Sequence, residues 1–345
     1  MPLAATRATD YPPRVPSPRE RFDRLMAGRP VILAPMEDVT DAAFRRLCRA
    51  HGADLCLTEF VRAEKLIRKE GRAQKKIKLA PDDQPTAIQI YGPDAEHLAE
   101  AARVAEAAGP AFIDINCGCW VPRVAGRGAG AGWLRNPAAM VAMAKRVVDM
   151  VSLPVTVKTR IGWGPESEMP IVDLARRLED AGVSAITIHC RTAQMGHSGG
   201  ADWQWARRAR EVVSIPVIVN GDIRSADDAV RALDETGCQG VMVGRWAIAH
   251  PWIFREARAL LDRKEHLPPP TPAERRDLYR AHLLANVSAR GERYGVQVTR
   301  RHLRGYLDGV ASPETLRPLL LCETLSGCLS LLDTTAPEDS RSRPD

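Results

Sequence analysis

Short apolar runs recur along the chain at residues 31–36, 55–60, 86–92, 112–115, 154–159, 185–189, 216–220 and 240–244. Each is short enough for a strand. From the third run onward, a stretch with helical spacing of its apolar positions follows each one. These stretches are 95–108, 137–151, 170–181, 202–213, 226–235 and 252–262. The first run has a shorter helical stretch, 41–50, and the second is followed by a basic, less regular segment, 64–80. Strands that stay apolar and alternate with helices predict a parallel sheet covered on both faces. Eight such units predict an α/β fold, a closed (β/α)8 TIM barrel whose functional groups gather at the C-terminal strand ends. A doubly wound open sheet is the alternative. It lacks support because no Gly-x-Gly-x-x-Gly follows the first strand.

The alternation stops at Pro268-Pro269-Pro270-Thr271-Pro272, which reads as a stiff linker. Beyond it the spacing is helical only, over 273–294, 298–307 and 314–331, as in a small helical bundle. The expected layout is a disordered lead-in over 1–28, the barrel over 29–266, the helical domain over 267–333 and a disordered tail over 334–345.

Composition narrows the function classes. The chain has 345 residues, 45% of them hydrophobic, enough for a large core. A formal net charge of +6 favours polyanionic partners without identifying one. Eight cysteines without paired spacing, and no leader-like segment, point to a reducing, cytoplasmic setting. No apolar run approaches the ~20 residues of a membrane span. A monomer is expected.

Polar residues collect where the predicted strands end. Pro35, Met36 and Glu37 close the first and Glu59 the second, while Gln89 lies within the third. Asn116 and Cys119 follow the fourth, and Lys158 and Arg160 the fifth. His189 and Arg191 end the sixth, Asn220-Gly221-Asp222 the seventh, and Gly244-Arg245 the eighth. A ring of such groups predicts a site. Glycines after strands seven and eight suit phosphate binding in a barrel. Lys158 interrupts an apolar alternation, so it needs an anionic partner or solvent. Gln89 needs a hydrogen-bonding partner, which the edge of a flat heterocycle would supply. A metal site is not expected, since Cys117-x-Cys119 has no second ligand pair at zinc spacing.

The run Asp114-Ile115-Asn116-Cys117-Gly118-Cys119 delivers an amide and two thiols into a turn rich in glycine at 126, 128, 130 and 132. Together with Ala34-Pro35-Met36-Glu37, Thr58-Glu59-Phe60, Gln89-Ile90-Tyr91-Gly92 and Val157-Lys158-Thr159-Arg160, this run resembles the tRNA-dihydrouridine synthase family. The same holds for His189-Cys190-Arg191-Thr192, Asn220-Gly221-Asp222, and Gly244-Arg245 followed by Pro251-Trp252-Ile253-Phe254. The resemblance implies an FMN-containing barrel with a helical RNA-binding domain. It also implies NADPH-driven reduction of tRNA uridines to 5,6-dihydrouridine, with NADH as a possible reductant.

Carried over by position, Pro35, Met36, Glu37 and Gln89 line the flavin, and Lys158 and His189 contact its ring. Asn220, Gly221, Asp222, Gly244 and Arg245 hold its phosphate arm. Asn116 and Arg191 face the uracil, and Cys119 is the proton donor. A thiol with a pKa near its ordinary value of about 8.5 is mostly protonated at neutral pH and fits an acid's role. Cys117 is left to packing, and the glycine run is expected to make room for an extruded nucleotide. Lys65, Arg68, Lys69, Arg72, Lys75, Lys76, Lys78 and the Arg300–Arg304 stretch are candidate phosphate contacts.

Two positions depart from the family pattern. Trp120 stands where proline is common, and Cys190 where glycine is. Two other readings stay open: an FMN barrel acting on free pyrimidines, and an RNA-binding module without catalysis.

Overall fold

The computed structural model describes residues 15–164 and 169–334. Among the described residues nine strands, all paired in parallel, form one sheet: β1 (Val31–Leu33), β2 (Leu55–Leu57), β3 (Val61–Arg62), β4 (Thr86–Tyr91), β5 (Ile113–Cys117), β6 (Val155–Arg160), β7 (Ala185–His189), β8 (Val217–Asn220) and β9 (Gly240–Val243). β1 pairs with both β2 and β9, and β2 pairs with β4, so eight strands close into the expected TIM barrel. β3 is a two-residue addition beside the upper end of β4, which the sequence pattern did not separate from β2. The segment after it, read as irregular, forms two short helices, Ala63–Ile67 and Gly71–Ile77.

Strand parity divides the apolar side chains into two cores. Residues such as Val31, Leu33, Cys56, Ile88, Val157, Ile186, Val219 and Val241 pack outward against the helices. Ile32, Leu55, Leu57, Ala87, Ala185, Ile218 and Met242 point inward and meet Phe22 and Met26. These last two residues correct the lead-in expected over 1–28. Helix Pro18–Ala27 starts with a capping box between Ser17 and Glu20 and plugs the lower end of the barrel, where Phe22 meets the Phe112 ring edge-on at 5.2 Å. Its few apolar residues hid it in the sequence, yet burying Phe22 contributes about 1.5–3 kcal/mol. Residues 1–14 and 335–345, most of the expected disordered ends, lie outside the described residues.

Past the proline run, four helices follow: Pro272–Arg290, Glu292–Tyr306, Pro313–Leu321 and Leu325–Asp333. The stretches expected as 273–294 and 314–331 are each broken, by Gly291 and by residues 322–324. These helices have their own apolar core, in which Leu278, Tyr279, Leu283, Leu303, Tyr306 and Leu332 gather around Trp252 from the barrel. They sit on the strand-end side of the barrel. His302 Nδ1 faces Ile248 O at 2.8 Å, Arg290 pairs with Asp41, and the Phe44 ring stacks on His282. No helix among the described residues is long and apolar enough to cross a membrane.

Candidate active site

Register brings the inward polar residues into layers. Gln89 stands beside Asp114, which stands beside Thr156; Asn116 stands beside Lys158; Arg160 stands beside His189, which stands beside Asn220. Above these layers opens a cavity of about 660 Å³, within the range of small-molecule and cofactor sites. Pro35, Met36, Glu37, Asn116, Cys119, Lys158, His189, Arg191, Asn220, Gly221, Asp222, Gly244 and Arg245 all line it. Of the residues assigned to catalysis, cofactor or substrate, Gln89 alone does not line it.

Gln89 is fully buried, with both ends of its amide engaged inside the protein. The chain of bonds there has a forced direction. Asn116 Oδ1 accepts the backbone N–H groups of Gly118 and Cys119, at 3.1 and 2.9 Å. Asn116 Nδ2 must then donate, and does so to Gln89 Oε1 at 2.8 Å. Gln89 Nε2 donates in turn to Asp114 Oδ2 at 2.6 Å, and Thr156 Oγ1 donates to Asp114 Oδ1 at 2.5 Å. Gln89 therefore supports the Cys119 turn from below instead of meeting a heterocycle. Burial pushes the Asp114 carboxyl up to about 6, against the pull of these donors.

The Cys119 thiol is partly exposed to the cavity. Burial raises its pKa above the ordinary range, against the opposing effect of the Val121 N–H, Arg160 and Arg123. It is a protonated thiol at neutral pH. Cys117, of opposite parity to Asn116 along β5, is buried in the outer core as expected. The glycine turn does not serve as space for a nucleotide. A Cβ at Gly130 would lie 2.6 Å from Cys119 O, and Ala131 N–H donates to that same oxygen at 2.9 Å, so Gly130 lets the turn close against the Cys119 backbone. Arg160, only 2% exposed, binds this turn to its neighbour. Its Nε donates to Gly118 O and its Nη1 to Thr192 O and Gly196 O, at 2.8–2.9 Å. Trp120 extends the same contact, set edge-on to the His197 ring at 5.7 Å. Sequence reasoning placed Arg160 in the ring of strand-end groups but gave it no role, and it missed His197.

On the opposite wall, Lys158 Nζ donates to Asn220 Oδ1 at 3.1 Å, while Asn220 Nδ2 donates to Met242 O. Burial, and then Arg160, lower the Lys158 pKa to about 8. Arg191 Nη1 approaches His189 Nε2 at 3.3 Å, and an arginine can only donate, so that nitrogen carries the lone pair. Burial with Lys158, Arg160 and Arg191 nearby holds this imidazole neutral. Most of the Arg191 donors are engaged: Nη2 donates to Gly199 O and to Asp222 Oδ2, both at 2.6 Å, and Nε donates to Ser198 O. Asp222 thus turns its carboxylate to Arg191 and Arg224, away from a phosphate's role. The exposed cations left on the wall are Arg123, Arg224 and Arg245.

Two basic groups predicted as phosphate contacts are spent internally. Lys76 reaches Glu37 at 2.6 Å and Glu59 at 3.6 Å. In the 300–304 stretch, Arg300 donates to Cys322 O and His302 is buried against the barrel, leaving Arg301 and Arg304 outside. The carboxylates of Glu37, Asp38 and Glu59 converge within 4.8 Å, with Lys76 as their cation.

The model of the dihydrouridine synthase family matches residues 32–334. The chain belongs to the dihydrouridine synthase family. Among its relatives, a probable tRNA-dihydrouridine synthase of Rhodobacter capsulatus is 39% identical over 294 residues, covering 85% of this chain and 90% of that protein. A probable tRNA-dihydrouridine synthase of Mycobacterium tuberculosis is 36% identical over 338 residues, covering 93% and 87%. The tRNA-dihydrouridine synthase B of Shewanella oneidensis is 36% identical over 278 residues, covering 81% and 86%. In this dihydrouridine synthase family member, the donor set of the cavity suits a flavin mononucleotide. One wall offers apolar surface from Ala34, Met36 and Met242, the floor offers the Lys158 cation, and the rim offers exposed arginines for a phosphate.

Proposed function

We propose that this protein reduces uridines in tRNA to 5,6-dihydrouridine, using FMN as cofactor and NADPH as reductant. The observation that carries the reading is a protonated, cavity-facing thiol held on a rigid turn beside a buried cation. The C5=C6 bond of uracil is conjugated to the C4 carbonyl, so addition of hydride at C6 leaves an enolate that needs a proton at C5. Bound FMN, once reduced, would supply that hydride.

Every other part falls to the chain's own groups. Cys119 delivers the proton to C5 as a general acid, which requires a thiol whose pKa stays high. The Asp114–Gln89–Asn116 relay keeps its turn fixed, so that the thiol keeps its distance from the base. Lys158 would set a positive charge against the bound cofactor and so favour its reduced, electron-rich form. His189, neutral and with its proton on Nδ1, donates a hydrogen bond without adding charge. Gly244 and Arg245 take the phosphate arm. The uridine must leave its stack to enter, at a cost of a few kcal/mol that is lowest in an RNA loop. The four-helix extension beside the strand ends supplies further RNA surface.

Cys119→Ala tests the assignment. Dihydrouridine would be mapped in tRNA from a host that relies on this enzyme alone. We expect the variant to retain RNA binding and to lose roughly 10²–10⁴-fold in rate. Undiminished modification at every site would refute Cys119 as the acid. NADPH oxidation that proceeds with free uracil as readily as with tRNA would favour a free-pyrimidine oxidoreductase.

A further inference from the structure

The seven tryptophans differ in what their rings do. Trp120 meets His197, Trp133 donates to Gly92 O, and Trp163 and Trp205 carry arginines over their faces. Trp203 donates to Gly221 O, and Trp252 packs among His51, His250 and Tyr306. Among the described residues, only the Trp246 side chain has no ring, cation or hydrogen-bond contact of this kind. It is 43% exposed and stands on the wall of the cavity.

The fold does not require a large ring there. Trp246 opens a single helical turn, Trp246–Ala249, whose inward residue is the fully buried Ala247. Alanine at 246 would favour that turn more than tryptophan does. The surroundings point to an occupant. Arg245 and Arg224 are exposed on the same wall, and Asp222 is already paired with Arg191 and Arg224. The same turn meets the helical extension, where Ile248 O faces His302 and Gly305 packs on Ala249. A free aromatic face beside cations, at the rim of a cavity that receives a base, is the composition of a single-stranded nucleic-acid platform.

We infer that Trp246 stacks on a nucleotide flanking the reacting uridine, with Arg224 meeting the backbone phosphate between them. This rests on the proposed function, since it assumes an RNA uridine in the cavity. The occupant is single-stranded RNA, because stacking needs an unpaired base and the flanking cation needs a phosphodiester.

Binding of an unmodified tRNA transcript and of a uridine trinucleotide to the full-length, flavin-loaded protein tests it, with Trp246→Ala and Trp246→Phe alongside. We expect Trp246→Ala to weaken both RNAs roughly tenfold, within the range measured for loss of one base stack, and Trp246→Phe to recover most of the loss. Binding of uridine monophosphate, which has no flanking base, should not change. Equal affinity of Trp246→Ala and the unaltered protein for both RNAs would overturn the inference. So would loss of bound flavin from Trp246→Ala with RNA affinity intact, since the ring would then serve the cofactor. The function itself fails on a different result, an unaltered protein that binds tRNA and leaves every uridine unreduced.

Discussion

Asp114 offers a direct test of the relay under Cys119. Its carboxylate is 1% exposed, accepts from Gln89 and Thr156, and is pushed by burial up to about 6. A carboxyl whose folded pKa lies above its unfolded value of about 3.9 binds more protons folded than unfolded in the window between them. Its stabilising contribution is complete below about pH 4 and is lost as pH rises through about 6. At about 1.36 kcal/mol per pH unit, the loss is about 3 kcal/mol. Asp114→Asn keeps an oxygen for Gln89 Nε2 and can turn its amide N–H to Thr156 Oγ1, so the packing stays while the titration goes. Urea unfolding of both proteins between about pH 4 and pH 7 cancels every group they share. The variant should gain on the natural protein as pH rises, by about 3 kcal/mol over the range. A stability difference that stays flat, or that moves the other way, would refute the assignment of this buried carboxylate.

Two further outcomes follow from the same geometry. Lys158, lowered to about 8, is charged below that pH and neutral above it. Dihydrouridine formation should decline as pH rises through about 8, and Lys158→Met should remove this descending limb while costing roughly 10²–10³-fold at neutral pH. An unchanged limb in the variant would assign it to another group. A Cβ on Gly305 would lie 2.3 Å from Ala249 Cα, in the contact between the helical extension and the turn that carries Trp246. Gly305→Ala should therefore cost about 1–3 kcal/mol through overpacking and weaken tRNA binding. A thermal midpoint and an RNA affinity both equal to those of the natural protein would show that this contact is dispensable.

The sequence by itself determined the barrel. Eight apolar runs separated by helical spacing admit few other arrangements, because parallel strands need covered faces and helical crossovers. It also determined the chemistry of the cavity, since inward parity and strand-end position are local properties. Asn116, Lys158, His189 and Asn220 could be read from them before any partner was known. The tertiary structure decided which polar groups remain available. Gln89 and Lys76 read as free to meet a ligand, but Asp114 and Asn116 claim the first, and Glu37 and Glu59 claim the second. Arg300 and His302 turn inward for the same reason. The glycines near Cys119 read as open space, yet at Gly130 the backbone of Cys119 fills it. Helix Pro18–Ala27 has too few apolar residues for a periodic signal and is fixed by the barrel floor it plugs. In each case the deciding partner lies far along the chain or across the sheet, and a buried polar or apolar group is settled by what it meets there.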